Sequence, residues 1–282
     1  MFIPDSILGG VLLLWFVLTG LSLIFLVYDL QTNTPSMGIM KLAWFLIVLY
    51  TGPVGLFIFF LTCRQPLPGT HDEYIKPHYK QAIGSMIHCI AGDATGIILA
   101  AIVTFHLGLP NGLDLIIEYS TAYLFGLLIF QALFMKSMLG GNYFVAIKKT
   151  IFSETVSMNM VMVGMIPVMA IGRGLIPGGD DPKGLMFWGI ASAATLAGGL
   201  TAYPINSWLV RSGLKHGMMT AASSKPLGHP GGGDMEEMGG MKMDMSKHPD
   251  ISLGKKLALV VITFGFLAIA AWVTSLFIDL KL

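Results

Sequence analysis

Charge is what this chain has least of. Only 12% of its 282 residues are Asp, Glu, Lys or Arg, against about 25% in an ordinary soluble domain. That scarcity excludes a solvated globular surface. With 54% apolar residues and a mean hydropathy of +0.73, the chain belongs in a lipid bilayer. Ten-residue alternating strands are missing too, which excludes an outer-membrane barrel. The net charge of +1 supplies no basic field for nucleic acid. Cysteine is down to two residues, Cys63 and Cys89, with no CxxC partner for zinc and no framework for disulfides. No GxxxxGK[ST], HExxH or GxSxG motif occurs, so P-loop ATPase and common hydrolase chemistries are not encoded; an integral-membrane redox enzyme stays open as a third reading, behind non-enzymatic ones. The last apolar run has no lysine between Lys256 and Lys281, which excludes a retinal Schiff base there.

What is present is a series of long apolar runs near 7–28, 39–62, 84–107, 113–137, 155–175, 185–210 and 256–279. Roughly 20 apolar residues cross the hydrocarbon as a helix, so the pattern predicts an all-α, polytopic integral membrane protein with about seven transmembrane helices. The fifth run carries Asn159 and Pro167, and the sixth carries Pro204. The organisation read from this is a six-helix bundle over 1–216, a flexible Met/Gly/His-rich loop over 217–251, and a seventh helix within 252–282. The loop cannot bury enough apolar area to fold alone. The stretch Met1–Ser6 has no positive charge and no small-residue cleavage site follows, so the first run is expected to be a membrane helix. Seven alternating spans would place 13 Lys/Arg on the side of the N-terminus and loops 63–83, 138–154 and 211–255. Only Lys41, Arg173, Lys183 and Lys281 fall on the other side. Cytoplasmic loops carry the Lys/Arg excess. The expectation is a multi-pass protein of the inner (plasma) membrane, with its N-terminus and Met-rich loop cytoplasmic.

The third run opens "GSMIHCIAGDATGIILA", which puts His88, Cys89 and Asp93 in the first turns of a helix. Ionisable groups at membrane depth are costly and ordinarily face a bundle interior with a partner. Cys89 and Asp93 are four residues apart and share a face, and Gly92 with Gly96 lets another helix come close. The sixth run ends "YPINSWLVRSGLKHGMM", bringing His216 and Met218 to the same membrane boundary. If the third and sixth helices are neighbours, His216 approaches His88 and Cys89; the plain alternative is a basic anchor leading into a linker. Across the membrane, His106, Asp114 and Glu118 either form an outer mouth for a cation path or snorkel to water.

Methionine is the other conspicuous feature. Met158, Met162, Met165 and Met169 form one helical stripe, suited either to adaptable packing or to a soft-metal relay. Met235, Met238, Met241, Met243 and Met245 lie in "GGGDMEEMGGMKMDMSKHP", where no core can form. Thioether and thiolate ligands select Cu(I), so His88, Cys89, Asp93, His216, Met218 and the five loop methionines make a candidate copper set. The reading is a protein that binds or transports a soft metal ion, most simply Cu(I). The alternative is a non-catalytic subunit of a larger membrane complex around a copper or haem enzyme. Its partners would be the lipid bilayer and other membrane proteins.

The combination of "HCIAGDATG" with "YPINSWLVRSGLKHGM" resembles an uncharacterised family of prokaryotic polytopic membrane proteins, a domain of unknown function. The marks are His88, Cys89, Gly92, Asp93, Pro204, Asn206, Lys215, His216, Gly217 and Met218. The resemblance spans most of helices two to six and implies no established activity.

Overall fold

The computed structural model describes residues 7–133, 142–218, 220 and 251–281. The chain is all-helical there: α1 Ile7–Thr32, α2 Gly38–Thr62, the short α3 His71–Ile75, α4 His78–Leu107, α5 Asn111–Leu124, α6 Tyr143–Leu175, α7 Leu185–Arg211 and α8 Leu253–Ser275. A π-helical segment, Phe125–Gln131, continues α5. Apart from α3, each helix (α5 together with its π-helical continuation) is long and apolar enough to cross a membrane. The protein is therefore a polytopic membrane bundle. α4 is its central post, packed against α2, α5, α6 and α7. α1 and α8 keep most of their apolar surface outward, as lipid-facing helices do.

Two helices start earlier than hydropathy alone predicts. α4 begins at His78 rather than near 84, so Asp93 stands at the middle of a 30-residue helix and not in its first turns. α6 begins at Tyr143 rather than near 155. Asn142 caps it by accepting from the Val145 amide at 3.1 Å, and its first turns bury Ala146, Thr150, Ser153 and Glu154. Polar residues that hydropathy scores as loop are here the inward face of a helix. Gly92 and Gly96 do admit a neighbour, and it is α5. A Cβ on Gly92 would stand 2.8 Å from Gly126 Cα, and one on Gly96 would stand 2.6 Å from Ala122 Cα.

α2 is folded back on itself. Gly52 has φ +57° and ψ −134°, a conformation open to glycine, and Pro53 then starts a second half that needs no amide donor. Trp44 and Phe59 meet edge-on at 5.3 Å, and a Cβ on Gly55 would lie 3.2 Å from Val48 Cα. In a straight helix residues 48 and 55 would be about 10 Å apart. The halves 38–51 and 53–62 are about 21 and 15 Å long at 1.5 Å per residue, too short for a hydrocarbon core of about 30 Å. The hairpin thus enters and leaves by one face. Its return brings Arg64 Nε to 2.6 Å from Asp29 Oδ2 at the end of α1, and Phe60 to 5.2 Å from Phe25.

This reversal decides which connecting segments share one end of the bundle. One face, the loop face, gathers the end of α1, residues 33–37 and 63–77, the start of α4 and the segment after α7. Ser36 bridges Thr220, and His78 Nε2 lies 3.0 Å from Ser207 Oγ. The opposite face holds the start of α1 beside that of α7, where Leu12 touches Gly189. There, too, the Gly112 amide donates to Lys281 O at 2.8 Å. The start of α1 therefore lies across the bundle from the segment with which alternating spans had grouped it.

Candidate functional site

The end of α7 sets up the site. Gly213 takes φ +67°, its amide donates to Val210 O at 3.1 Å, and the Leu214 amide donates to Leu209 O at 3.0 Å. This paired pattern around a left-handed glycine reverses a chain at a helix end. The segment turns back along the bundle and lies against α4: a side chain on Gly84 would collide with Met218, and one on Gly217 would strike Gln81. Lys215 is carried inside with it.

There the Lys215 ammonium donates to Cys89 Sγ at 2.5 Å and to Asn206 Oδ1 at 3.1 Å, and stands 3.5 Å from Glu154 Oε2. The Cys89 thiol in turn donates to Glu154 Oε2 at 3.3 Å. Asn206 donates through Nδ2 to Ser157 Oγ at 2.8 Å and to Ala202 O at 3.0 Å, which turns its oxygen toward the lysine. Three helices, α4, α6 and α7, thus converge on one ammonium. Both ends of the ion pair are closed to solvent, with side-chain exposures of 2% for Lys215 and 0% for Glu154.

Asp93, one turn along α4 from Cys89, is 0% exposed. Neither of its carboxyl oxygens has a hydrogen-bond partner among the described residues, and the same holds for Glu154 Oε1. Asp93 Oδ1 and Glu154 Oε1 converge over α5: a Cβ on Gly126 would lie 2.5 Å from the first and 2.6 Å from the second. Gly126 is in the π-helical segment, a distortion frequent at functional sites. Further toward the far face, Tyr119 donates to Asn159 Oδ1 at 2.8 Å and Asn159 donates to Thr263 at 3.1 Å. Beyond them Arg173 Nη1 holds Asp114 Oδ2 at 2.9 Å and Glu118 Oε1 at 2.6 Å, and Thr104 donates to Asp114.

Cys89 and Asp93 are brought together as their spacing predicts. His88 is buried with its ring edge-on to Phe130 at 5.9 Å, and His216 and Met218 lie on the returning segment beside α4. Asp114 and Glu118 form a cluster, closed by Arg173, while exposed His106 lies 2.7 Å from the Ile102 carbonyl of its own helix. Met158, Met162, Met165 and Met169 are packed in the apolar core. Met235, Met238, Met241, Met243 and Met245 lie outside the described residues. Among the described residues no group of three or more His, Cys, Asp or Glu is arranged to hold a metal ion. Near the loop face, Cys63 Sγ lies 3.3 Å from Ser36 Oγ and 3.9 Å from His71 Nε2, and His71 Nδ1 lies 2.6 Å from Thr220 Oγ1.

Sequence reasoning missed Glu154 as a site residue and took Lys215 for a boundary anchor. A signal for Glu154 existed: it lies on the Met158–Met162–Met165–Met169 stripe, four residues ahead of it. For Lys215 no local signal existed, because its burial depends on the reversal at Gly213.

Fold and site together define a multi-pass helical membrane protein with charged side chains sealed in its interior. Residues 78–215 match the family model for a domain of unknown function, DUF4396. That match runs from the first residue of α4 to Lys215, so it contains the charged centre. It leaves out α2 and the three residues His216, Gly217 and Met218, which the motif resemblance had included. No curated protein and no solved structure matches the chain.

Proposed function

We propose that this protein is an ion-coupled membrane carrier in which Asp93, Glu154 and Lys215 handle the moving charge. The observation that supports it is the pair of buried carboxyls with open oxygens beside a single buried ammonium. Intramembrane ionisable groups mark ion paths and proton relays, because their burial is too costly to persist for packing alone. A hairpin that dips into the bilayer and a chain segment that returns into the bundle are further features of proteins that line an internal path. Arg64, Lys76, Lys80, Lys148 and Lys149 lie on or near the loop face, and Lys41, which donates to Leu30 O at 2.5 Å, joins them there. By the positive-inside rule that face is cytoplasmic, which puts the start of α1 outside.

The test is reconstitution in proteoliposomes with imposed gradients of H⁺, Na⁺, K⁺ or Cu(I). Dissipation of one gradient, lost in Asp93→Asn and in Glu154→Gln, supports the carrier. Absence of movement for every ion, with a second membrane protein co-purifying in fixed ratio, would favour the accessory-subunit reading instead. Cu(I) keeps a place in the panel because Cys89 lies at the centre and Met218 is buried on the segment that seals it. A Cu(I) carrier would lose metal binding in Cys89→Ser and in a chain lacking residues 229–248. A proton or alkali-ion carrier would be insensitive to that deletion.

A further inference from the structure

Charge balance in the centre narrows the carrier reading, on which this inference rests. The groups around it are Asp93, Cys89 and His88 from α4, Tyr119 from α5, Glu154 from α6 and Lys215 from the returning segment. Two of these are carboxyls and one is an amine. With both carboxyls ionised and Lys215 charged, the interior would carry one uncompensated negative charge. An unpaired charge in a medium of low dielectric is strongly disfavoured, and such a group neutralises instead. Lys215 is committed to one side of the centre, between Cys89 Sγ, Asn206 Oδ1 and Glu154 Oε2. Asp93 Oδ1, Asp93 Oδ2 and Glu154 Oε1 are left without partners among the described residues.

We propose that Asp93 and Glu154 share a site for one monovalent cation, a proton or a small metal ion, over the side-chain gap at Gly126. Lys215 supplies the other positive charge and sits on a chain segment outside the helices. When the cation leaves, the ammonium is, among the described residues around the centre, the remaining positive charge that can move toward Asp93 without moving a helix. The site therefore holds one exchangeable positive charge, and the lysine sets that number at one.

Infrared spectroscopy of the purified protein in nanodiscs, through the C=O stretch of protonated carboxyls, counts the neutralised groups. At neutral pH with no added metal, one protonated carboxyl is expected from the centre, lost in Asp93→Asn and equally in Glu154→Gln. Each of those changes leaves one acid facing one lysine. Lys215→Met should raise the count from one to two, and Lys215→Gln serves if that variant does not fold. Loss of the band on adding Na⁺, Li⁺ or Cu(I), with one ion bound per chain, identifies a metal cation as the ligand. A band indifferent to all three identifies the proton; either result supports the site. Gly126→Ala inserts a methyl group between the carboxyls and should weaken metal binding or shift the proton's titration by at least about tenfold. An absent band with no ion bound, or a band unchanged by Lys215→Met and Lys215→Gln, would overturn the inference. Ion flux is a separate measurement: a correct band pattern without flux defeats the carrier reading and leaves the charge count standing.

Discussion

At the scale of residues, Lys215 and Glu154 are each the reason the other can be buried. Removing one partner of a buried ion pair costs about 3–5 kcal/mol, because the other group must stay buried unpaired or take up a proton to become neutral, whereas replacing both with apolar or neutral groups is often close to neutral. Lys215→Met should therefore destabilise the bundle by about that amount, and the double variant Lys215→Met/Glu154→Gln should recover most of it. Reversible unfolding in mixed micelles measures both. His71 offers a pH-dependent tie at the loop face. Burial holds its pKa below the usual 6.5, partly opposed by Asp72. The folded state thus favours the neutral ring, which lies between Cys63 and Thr220. A depressed histidine pKa means that stability is complete above 6.5 and falls as the pH drops below it. Limited proteolysis near Thr220 should accelerate between pH 6.5 and more acid conditions, and His71→Gln should remove that dependence. Burial also pushes the Cys63 thiol up to about 12, so it should stay unreactive to maleimide at neutral pH.

At the scale of elements, the reversal of α2 decides the topology. A Cβ on Gly52 would collide with Thr19 Oγ1 and approach Trp15, and a non-glycine residue held at its φ of +57° is strained. Gly52→Ala should cost at least about 1–3 kcal/mol from the backbone alone. In the native chain, cysteines substituted at Lys41 and Lys76 should label from the same side of sealed cells with an impermeant reagent. Labelling from opposite sides would mean that α2 crosses as one straight helix. Hydropathy could not distinguish these outcomes: a mostly apolar run of 25 residues reads alike whether it crosses once or goes in and returns. The dipeptide Gly52–Pro53 carried the only local sign.

For the whole molecule, the two faces differ in content. One has the tie between Cys63, His71 and Thr220 and the segment delivering Lys215; the other has the cluster of Asp114, Glu118 and Arg173. Along α6, Glu154 and Arg173 are about 28 Å apart at 1.5 Å per residue, close to the thickness of the hydrocarbon. Between them Tyr119, Asn159 and Thr263 form the intermediate polar step. Cysteines placed at Leu8 and Asp279 should label from one side of the membrane and one at Lys255 from the other. Agreement of all three would fix α1 and α8 as complete crossings.

Composition and the length of the apolar runs by themselves determined the solvent, the helical class and the number of long apolar helices, because burying backbone in lipid leaves few alternatives. The i, i+4 spacing also put Cys89 and Asp93 on one face, and the glycines at 92 and 96 marked the close contact that α5 makes. Tertiary structure alone decided which charges meet. Glu154 is a site residue because α6 starts at Tyr143, and Lys215 is one because Gly213 turns the chain inward. The end of the bundle at which α1 starts, relative to the segment after α7, follows from the fold-back at Gly52. Local pattern records the preference of each segment for lipid or water; the pairing of a lysine with an acid 61 residues away depends on packing, where burial makes an unpaired charge too costly to keep.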